Sequence, residues 1–169
     1  MSSAKEDILA RIRTSLADAP VAPEPQRNYR RVSHLNQEQT IEMLVDRLVD
    51  YKANVFEATE ANIADVIAER LGETSHYVVP VGLNRQWLPE DTPTRTCFTD
   101  SGSTLEPGAL TVHQLDAVDA VVTSSTVSCA ETGTIFLNSN QDEGRRAISL
   151  VPDHHICVVP RSTMVELVP

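Results

Sequence analysis

The residues best suited to chemistry lie at the joints between short apolar runs in the C-terminal third of the chain. Glu131-Thr132-Gly133-Thr134 precedes one such run. A glutamate at a turn before a strand could act as a nucleophile or a general base, with Thr132 and Thr134 orienting it. Gly133 allows a positive φ angle or the close approach of a ligand. Alternatively, the Glu131 carboxylate accepts backbone hydrogen bonds and only fixes the turn.

Two arginines, Arg145 and Arg146, follow a glycine and precede a second apolar run. A guanidinium group binds carboxylate or phosphate through two parallel hydrogen bonds. Because side chains alternate along a strand, we expect one arginine to face Glu131 and the other to point away. The inward arginine could bind an anionic ligand or could instead form a salt bridge with Asp119 or Glu131.

A histidine pair, His154 and His155, precedes the last long apolar run. Adjacent residues of an extended chain point in opposite directions, so the pair is poorly placed to bind one metal ion. No recognised spacing of metal ligands occurs, and we predict no metal site. His155 joins Glu131, the two arginines, Thr132, Gly133 and Thr134 as a candidate for binding a small organic acid or a phosphorylated ligand.

Composition excludes several classes of protein. The 169 residues suffice for one ordinary domain, and 41% of them are hydrophobic. The net charge of −10 repels phosphate backbones, which argues against nucleic acid as the main partner. Neither a Gly-x-Gly-x-x-Gly motif nor a phosphate-binding loop occurs, and Ser124 and Ser125 lack a nucleophile-elbow pattern.

The three cysteines, Cys97, Cys129 and Cys157, are far apart and form no Cys-x-x-Cys motif. We therefore expect reduced thiols and no iron–sulfur ligand set in this chain. The sequence contains neither a secretory signal nor a run long and apolar enough to span a membrane. These features predict a cytoplasmic protein without a bound cofactor.

The N-terminal region predicts a helical arm. Ser3 and Glu6 form a capping box, followed by apolar residues at helical spacing to about Ala17. Asp18–Asn28 contains three prolines and predicts an extended linker. We accordingly divide the chain into an arm with its linker, residues 1–34, and a second domain, residues 35–169. The arm could dock on its own domain or on a partner.

The second domain predicts a mixed α/β sheet with flanking helices. Asn36 caps a helix that runs to about Lys52, and Thr59 caps another that ends before Gly72. One helical turn is expected near Trp87, which would pack over the sheet edge. The predicted strands are Asn54–Ala58, His76–Val81 (parallel to the first), Arg95–Thr99, Leu110–Val112, Asp119–Thr123, Thr134–Leu137, Ala147–Val151 and Ile156–Val159.

Several of these segments carry a family resemblance. The segments are Leu115–Thr123, Ala130–Ile135, Arg146–Pro152 and His155–Ile156. In this order and at these distances they resemble the lactate utilisation protein C (LutC/YkgG) family, whose members share the LUD domain. The resemblance covers roughly residues 36–165.

The resemblance implies a fold similar to the NagB/RpiA/CoA-transferase-like proteins. It also implies an accessory role in oxidising L-lactate to pyruvate, with the iron–sulfur clusters carried by two partner proteins. CoA-transferases of this superfamily place their catalytic glutamate in a Glu-Asn-Gly turn, which Glu131-Thr132-Gly133 resembles. That parallel leaves open a stand-alone isomerase or CoA-transferase using Glu131, and a purely structural partner-binding module is a third alternative.

One departure from the family is visible. Family members usually continue with a segment containing Ser-Gly-Pro-Ser and a Gly-x-His-Gly-Pro motif, which this sequence lacks. If that segment supplies a strand, we expect an exposed sheet edge that favours pairing with a partner.

Overall fold

The computed structural model describes residues 3–19, 23–73, 76–102 and 108–168. The chain divides into two compact units, Met1–Arg31 and Val32–Pro169. Residues 20–22 of the predicted linker, and residues 103–107, lie outside the described residues. Within the described residues, no helix combines the length and hydropathy needed to cross a membrane.

The first unit contains helix α1, Ala4–Ser15. Its predicted capping box is confirmed, since the Ser3 hydroxyl accepts from the Glu6 amide and the Glu6 carboxylate accepts from the Ser3 amide. None of its residues is buried, and the apolar residues Ile8 and Leu16 are more than half exposed. Docking of this arm therefore stays a prediction.

The second unit is built on a parallel sheet with helices on both faces, which confirms the predicted α/β class. Its helices are α2 (Gln37–Asp50), α3 (Ile63–Leu71), α4 (Val112–Asp116) and α5 (Arg146–Leu150). Its strands are β1 (His76–Pro80), β2 (Thr96–Asp100), β3 (Ala120–Thr123), β4 (Val127–Cys129), β5 (Thr134–Phe136), β6 (His154–Cys157) and β7 (Met164–Val165). Short 3₁₀ turns occupy Arg85–Trp87 and Arg161–Thr163.

The strands form two sheets. The four-stranded sheet runs β2-β1-β3-β6, and every pairing in it is parallel. A second sheet of order β5-β4-β7 combines an antiparallel hairpin with a parallel pair. Because the central strands β1 and β3 are covered on both faces, residues 77–79 and 120–122 have no exposed surface.

Each face of the parallel sheet carries its own core. On one face, Ile67 and Leu71 of α3 pack against Tyr77, Val79 and Val122. Trp87 packs against the same cluster, as predicted. On the other face, Leu115 of α4 and Ile148 of α5 pack against Val78 and Val121. The two cores hold the carboxyl ends of the strands in fixed positions, which is where sites form in α/β sheets.

Three predicted strands are wrong. Residues 54–58 pair with no strand among the described residues, so the predicted parallel pair with β1 does not form. Residues 110–112 lead into α4, because Thr111 and Gln114 form a capping box that starts a helix. Residues 147–151 fall mainly in α5, whose helical spacing turns Ala147, Ile148 and Val151 toward one apolar cluster.

The predicted cap of α3 is also wrong in position. Its N-cap residue is Asn62, whose side chain accepts hydrogen bonds from the amide and hydroxyl of Thr59. Thr59 therefore begins the turn before the helix and does not cap the helix itself. The C-terminal end agrees with the prediction, since Gly72 has a φ of +55°.

Candidate functional site

The carboxyl ends of β1 and β3 form the topological switch point of the parallel sheet. The chain leaves β1 toward β2 on one side, whereas β3 and β6 lie on the other side. Ligands of open α/β sheets bind in the crevice at such a point. In this structure the protein's own loop of residues 138–144 covers it, because Gly82 and Ser124 donate backbone hydrogen bonds to Gln141 (2.9 Å) and Asp142 (3.0 Å).

A buried carboxylate holds this loop. Glu143 is 1% exposed and accepts hydrogen bonds from the Thr126 hydroxyl and from the amides of Asn138 and Asn140. These contacts supply hydrogen-bond partners to a carboxyl group that is buried away from water. Gly82 permits the close approach of the loop, since a Cβ atom there would lie 2.6–2.8 Å from Gln141.

Arg145 is held in an ion pair. Its Nε and Nη2 atoms donate to the two carboxylate oxygens of Asp100 at 3.0 and 2.8 Å, and Nη2 also donates to the Leu110 carbonyl. Burial alone would raise the pKa of the Asp100 carboxyl, but hydrogen bonds from Arg145, Leu110 and Gly102 outweigh burial and lower it. Hydrogen bonding to Asp100 likewise raises the pKa of Arg145.

The sequence prediction for the two arginines is therefore wrong in its geometry. Arg145 and Arg146 do not open a strand; Arg145 is the N-cap residue of α5, and Arg146 is its first residue. The partner of Arg145 is Asp100, whereas Asp119 and Glu131 were the predicted alternatives. Arg146 is exposed to solvent.

His155 lies on the opposite edge of the sheet from Arg145. Its Nε2 atom is 2.8 Å from the Thr123 hydroxyl, across the β3–β6 pair. Desolvation and the neighbouring His154 lower the pKa of His155. The Asp100–Arg145 pair sits at the end of β2, three strand spacings or roughly 14 Å away. The structure therefore does not bring Arg145 and His155 together.

Cys157 lies two residues beyond His155, with its Sγ atom 3.8 Å from the Thr123 hydroxyl and 3.6 Å from the Ser124 carbonyl. Burial raises the pKa of its thiol to about 11. The thiol is therefore protonated at neutral pH, which makes it a poor nucleophile and a poor metal ligand.

Glu131 lies in the β4–β5 hairpin of the second sheet. The residue is exposed, and its amide donates to the Glu166 carbonyl at 2.9 Å. Gly133 has a φ of +64°, which is the first of the two alternatives predicted for it, and the hydroxyls of Thr132 and Thr134 lie 2.8 Å apart. A catalytic role for Glu131 stays a prediction.

A cleft of about 930 Å³ lies along the outer edge of β6. Its walls come from α2, α3, residues 52–58 and the segment from His154 to Val159. His155 and Cys157 line it, whereas Glu131, Arg145 and Arg146 do not. Volumes of this size are typical of sites that hold a small molecule or a short peptide.

Sequence reasoning missed Glu143 and Thr123. Their burial depends on contacts made with residues far along the chain, and a glutamate within a polar loop carries no local signal of it. Among the described residues, no group of three or more His, Cys, Asp or Glu side chains could hold a metal ion.

Comparisons with known proteins place the chain in a family. Residues 32–168 match the LUD domain family model. The chain is 35% identical to lactate utilization protein C of Deinococcus radiodurans, over 99% of this chain and 74% of that protein. It is 24% identical to lactate utilization protein C of Bacillus subtilis, over 85% of this chain and 62% of that protein.

A solved structure agrees with these relatives. The crystal structure of a DUF162 family protein from Deinococcus radiodurans superposes with a TM-score of 0.71 at 36% identity, covering 79% of this chain and 76% of that one. Fold, sequence and family model thus agree, and the chain belongs to the LUD domain family, with lactate utilization protein C among its relatives.

Proposed function

We propose that this chain is a cytoplasmic accessory subunit of L-lactate oxidation to pyruvate, acting with iron–sulfur partner proteins. The observation that carries the proposal is the 35% identity, over 99% of the chain, to a protein named lactate utilization protein C. The arrangement of the thiols supports a role without a cluster of its own. Cys97, Cys129 and Cys157 lie on three different strands, and burial raises the pKa of both Cys97 and Cys157.

Association with the partners tests the accessory role. The tagged chain would be co-expressed with the iron–sulfur proteins of lactate oxidation from the same organism and purified anaerobically. We expect co-purification in a fixed ratio, with the iron and sulfide content belonging to the partners. A chain that purifies alone, while the partners by themselves oxidise lactate at the full rate, would contradict the proposal.

A second candidate is a stand-alone enzyme that uses Glu131 as a nucleophile or base. The observation that favours it is the exposed position of Glu131 in a turn with Gly133 at positive φ. The test is CoA exchange between short organic acids by the purified chain, compared with Glu131→Gln. Exchange that disappears in the variant would support the enzyme. CoA exchange at the same rate in the wild-type chain and in Glu131→Gln would exclude a catalytic Glu131.

A further inference from the structure

The loop of residues 138–144 is held over the carboxyl ends of β1 and β3 without apolar side chains of its own. None of its seven residues carries an apolar side chain, and residues 138–141 are exposed. Apolar burial, the main stabilising force of folding, therefore contributes little to this contact. Because the net contribution of each hydrogen bond is small, a loop held in this way opens more readily than the core of a sheet.

The loop lies between two fixed elements, and a residue with positive φ lies near each of its ends. Strand β5 ends at Phe136 before the loop, and Arg145 is the N-cap residue of α5 after it. Ser139 has a φ of +56° and Gly144 a φ of +73°. Left-handed backbone is unfavourable for a residue with a Cβ atom, so the conformation of Ser139 disfavours the closed loop, whereas Gly144 rotates at little cost. These two residues are therefore suited to act as pivots.

The carboxyl group of Glu143 fastens the loop. It accepts hydrogen bonds from the Thr126 hydroxyl, which lies outside the loop, and from the amides of Asn138 and Asn140, which lie within it. These three donors are neutral, and none of the salt bridges among the described residues includes Glu143. Removal of this one carboxyl group would therefore release the loop from the segment that follows β3.

Two backbone amides lie beneath the loop. Gly82, two residues after β1, donates to the Gln141 carbonyl at 2.9 Å. Ser124, the first residue after β3, donates to the Asp142 carbonyl at 3.0 Å. Because the two acceptors belong to consecutive residues, both amides point toward one small region of the crevice. Backbone amides that converge in this way bind the oxygen atoms of anions. The loop carbonyls thus occupy positions suited to the oxygen atoms of an anionic ligand.

The charge of the protein favours a carboxylate over a phosphate in these positions. The chain has a net charge of −10, and two acidic residues, Asp142 and Glu143, belong to the loop itself. Such surroundings repel a monoanion less than a dianion. A carboxylate also presents two oxygen atoms, one for each amide.

We propose that residues 138–144 form a lid over an oxyanion site, in which the amides of Gly82 and Ser124 bind the carboxylate of a small molecule when the lid is open. In the closed state, the carbonyls of Gln141 and Asp142 take the place of the ligand. The ligand binds only the open state, so its apparent affinity is reduced by the fraction of molecules that are open. The inference stands on the geometry of the loop and does not depend on a role in lactate oxidation.

Two substitutions open the lid from opposite sides. Glu143→Ala removes the carboxyl group that fastens it. Gly82→Ala places a Cβ atom 2.6–2.8 Å from Gln141, so that the closed loop no longer fits, and it keeps the amide that would bind the ligand. The φ of Gly82 is not positive, so alanine is otherwise tolerated there. Gln141→Ala is the control, since it shortens an exposed side chain and keeps the backbone carbonyl.

Amide exchange reports the opening of the lid without any ligand. In both opening variants, we expect hydrogen exchange at the amide of Ser124 to be at least about tenfold faster than in the wild-type protein. Exchange at Val158, whose amide donates to the Thr123 carbonyl outside the lid, should stay the same and shows that the variant is folded. Gln141→Ala should exchange as the wild-type protein does. Unchanged exchange at Ser124 in both opening variants would overturn the lid.

Titration with acetate, followed by NMR of the amides of residues 82 and 124, tests the oxyanion site. We expect acetate to shift both signals to saturation. Each opening variant should bind acetate at least about tenfold more tightly than the wild-type protein and Gln141→Ala, because its site is open more of the time. The two variants change different contacts, so either one alone tests the lid. Inorganic phosphate should bind more weakly than acetate, and sodium chloride at equal ionic strength should produce no such shift.

Equal affinity of all four proteins for acetate would refute the lid. The lack of a saturable shift in every protein, or the same shift with chloride, would refute the oxyanion site. Tighter binding of phosphate than of acetate would refute the assignment of the ligand as a carboxylate.

Discussion

The imidazole Nε2 of His155 and the hydroxyl of Thr123 lie 2.8 Å apart and join the edge strand β6 to the buried strand β3. Thr123 has no exposed surface, whereas His155 keeps part of its surface in solvent and has its ring nitrogen against the sheet. The bond therefore ties a ring at the mouth of the cleft to the core of the sheet. A change in the charge of His155 would therefore affect both the cleft and the core of the sheet.

The first prediction concerns the titration of His155. Its pKa lies below the ordinary value of 6.5, because desolvation and His154 disfavour the charged ring. NMR titration of the imidazole should give a midpoint below 6.5. In His154→Gln the midpoint should rise but stay below 6.5, since desolvation is the larger cause. A midpoint above 6.5 in the wild-type protein would contradict this account.

The same shift predicts the pH dependence of stability. Between the lowered pKa of folded His155 and 6.5, the unfolded chain binds more protons than the folded chain. The contribution of His155 to the free energy of unfolding is therefore present above pH 6.5, and it is lost as the pH falls through the pKa of the folded state. In urea titrations, His155→Gln should lose less stability than the wild-type protein between pH 7.5 and the folded midpoint. An identical loss in both proteins would refute the contribution.

The second prediction concerns the reactivity of Cys157. A thiol pKa of about 11, against the ordinary 9.0, reduces the thiolate fraction at pH 8 by about 100-fold. Alkylation of Cys157 by iodoacetamide, followed by peptide mass spectrometry, should be slower by at least that factor in the native protein than in urea. Comparable rates in the two states would show that the thiol is not held protonated.

The third prediction concerns the Asp100–Arg145 pair. Arg145→Met leaves the carboxylate of Asp100, which has no exposed surface, without its cation. We expect a loss of roughly 3 kcal/mol in the free energy of unfolding, measured in urea. The matched control is Arg146→Met, an exposed neighbour that should change stability by less than about 0.5 kcal/mol. Equal effects of the two substitutions would contradict a structural role for Arg145.

The fourth prediction concerns the turn that carries Glu131. Gly133→Ala forces a side chain into positive φ and places its Cβ atom 2.8 Å from that of Arg47 on α2. Gly102→Ala imposes a positive φ as well, but no atom of the described residues lies within 4 Å of its Cβ position. We expect Gly102→Ala to lower the free energy of unfolding by about 1 kcal/mol, measured by urea denaturation. Gly133→Ala should lower it by at least about 1 kcal/mol more. Similar losses would mean that the hairpin does not pack closely on α2.

The elements with local signals were predictable from the sequence. The capping box of Asn36 and Gln39 marks the start of α2, and the run of β-branched residues marks β3. The predicted strand at residues 147–151 was wrong because so short an apolar segment fits both a helical and a strand period, and the segment forms most of helix α5. The LUD domain family could be recognised from the segments around Glu131 and Arg146, and the family model confirms it.

The arrangement of the polar groups could not be predicted in the same way. Asp100 and Arg145 are 45 residues apart and meet only because β2 and α5 lie at the same end of the sheet. The burial of Glu143 follows from a loop that folds back over the ends of β1 and β3. Such contacts depend on topology, which residue types and spacings do not encode locally.

The most direct test of the central claim is L-lactate consumption by a strain of the source organism that lacks this gene. We predict that the strain fails to consume L-lactate, still grows on pyruvate, and regains lactate consumption when the wild-type chain is supplied. The iron–sulfur proteins that we propose as partners should remain present at normal levels in the deletion strain. Lactate consumption at the wild-type rate in the deletion strain, with all partners intact, would contradict a role for this chain in lactate oxidation.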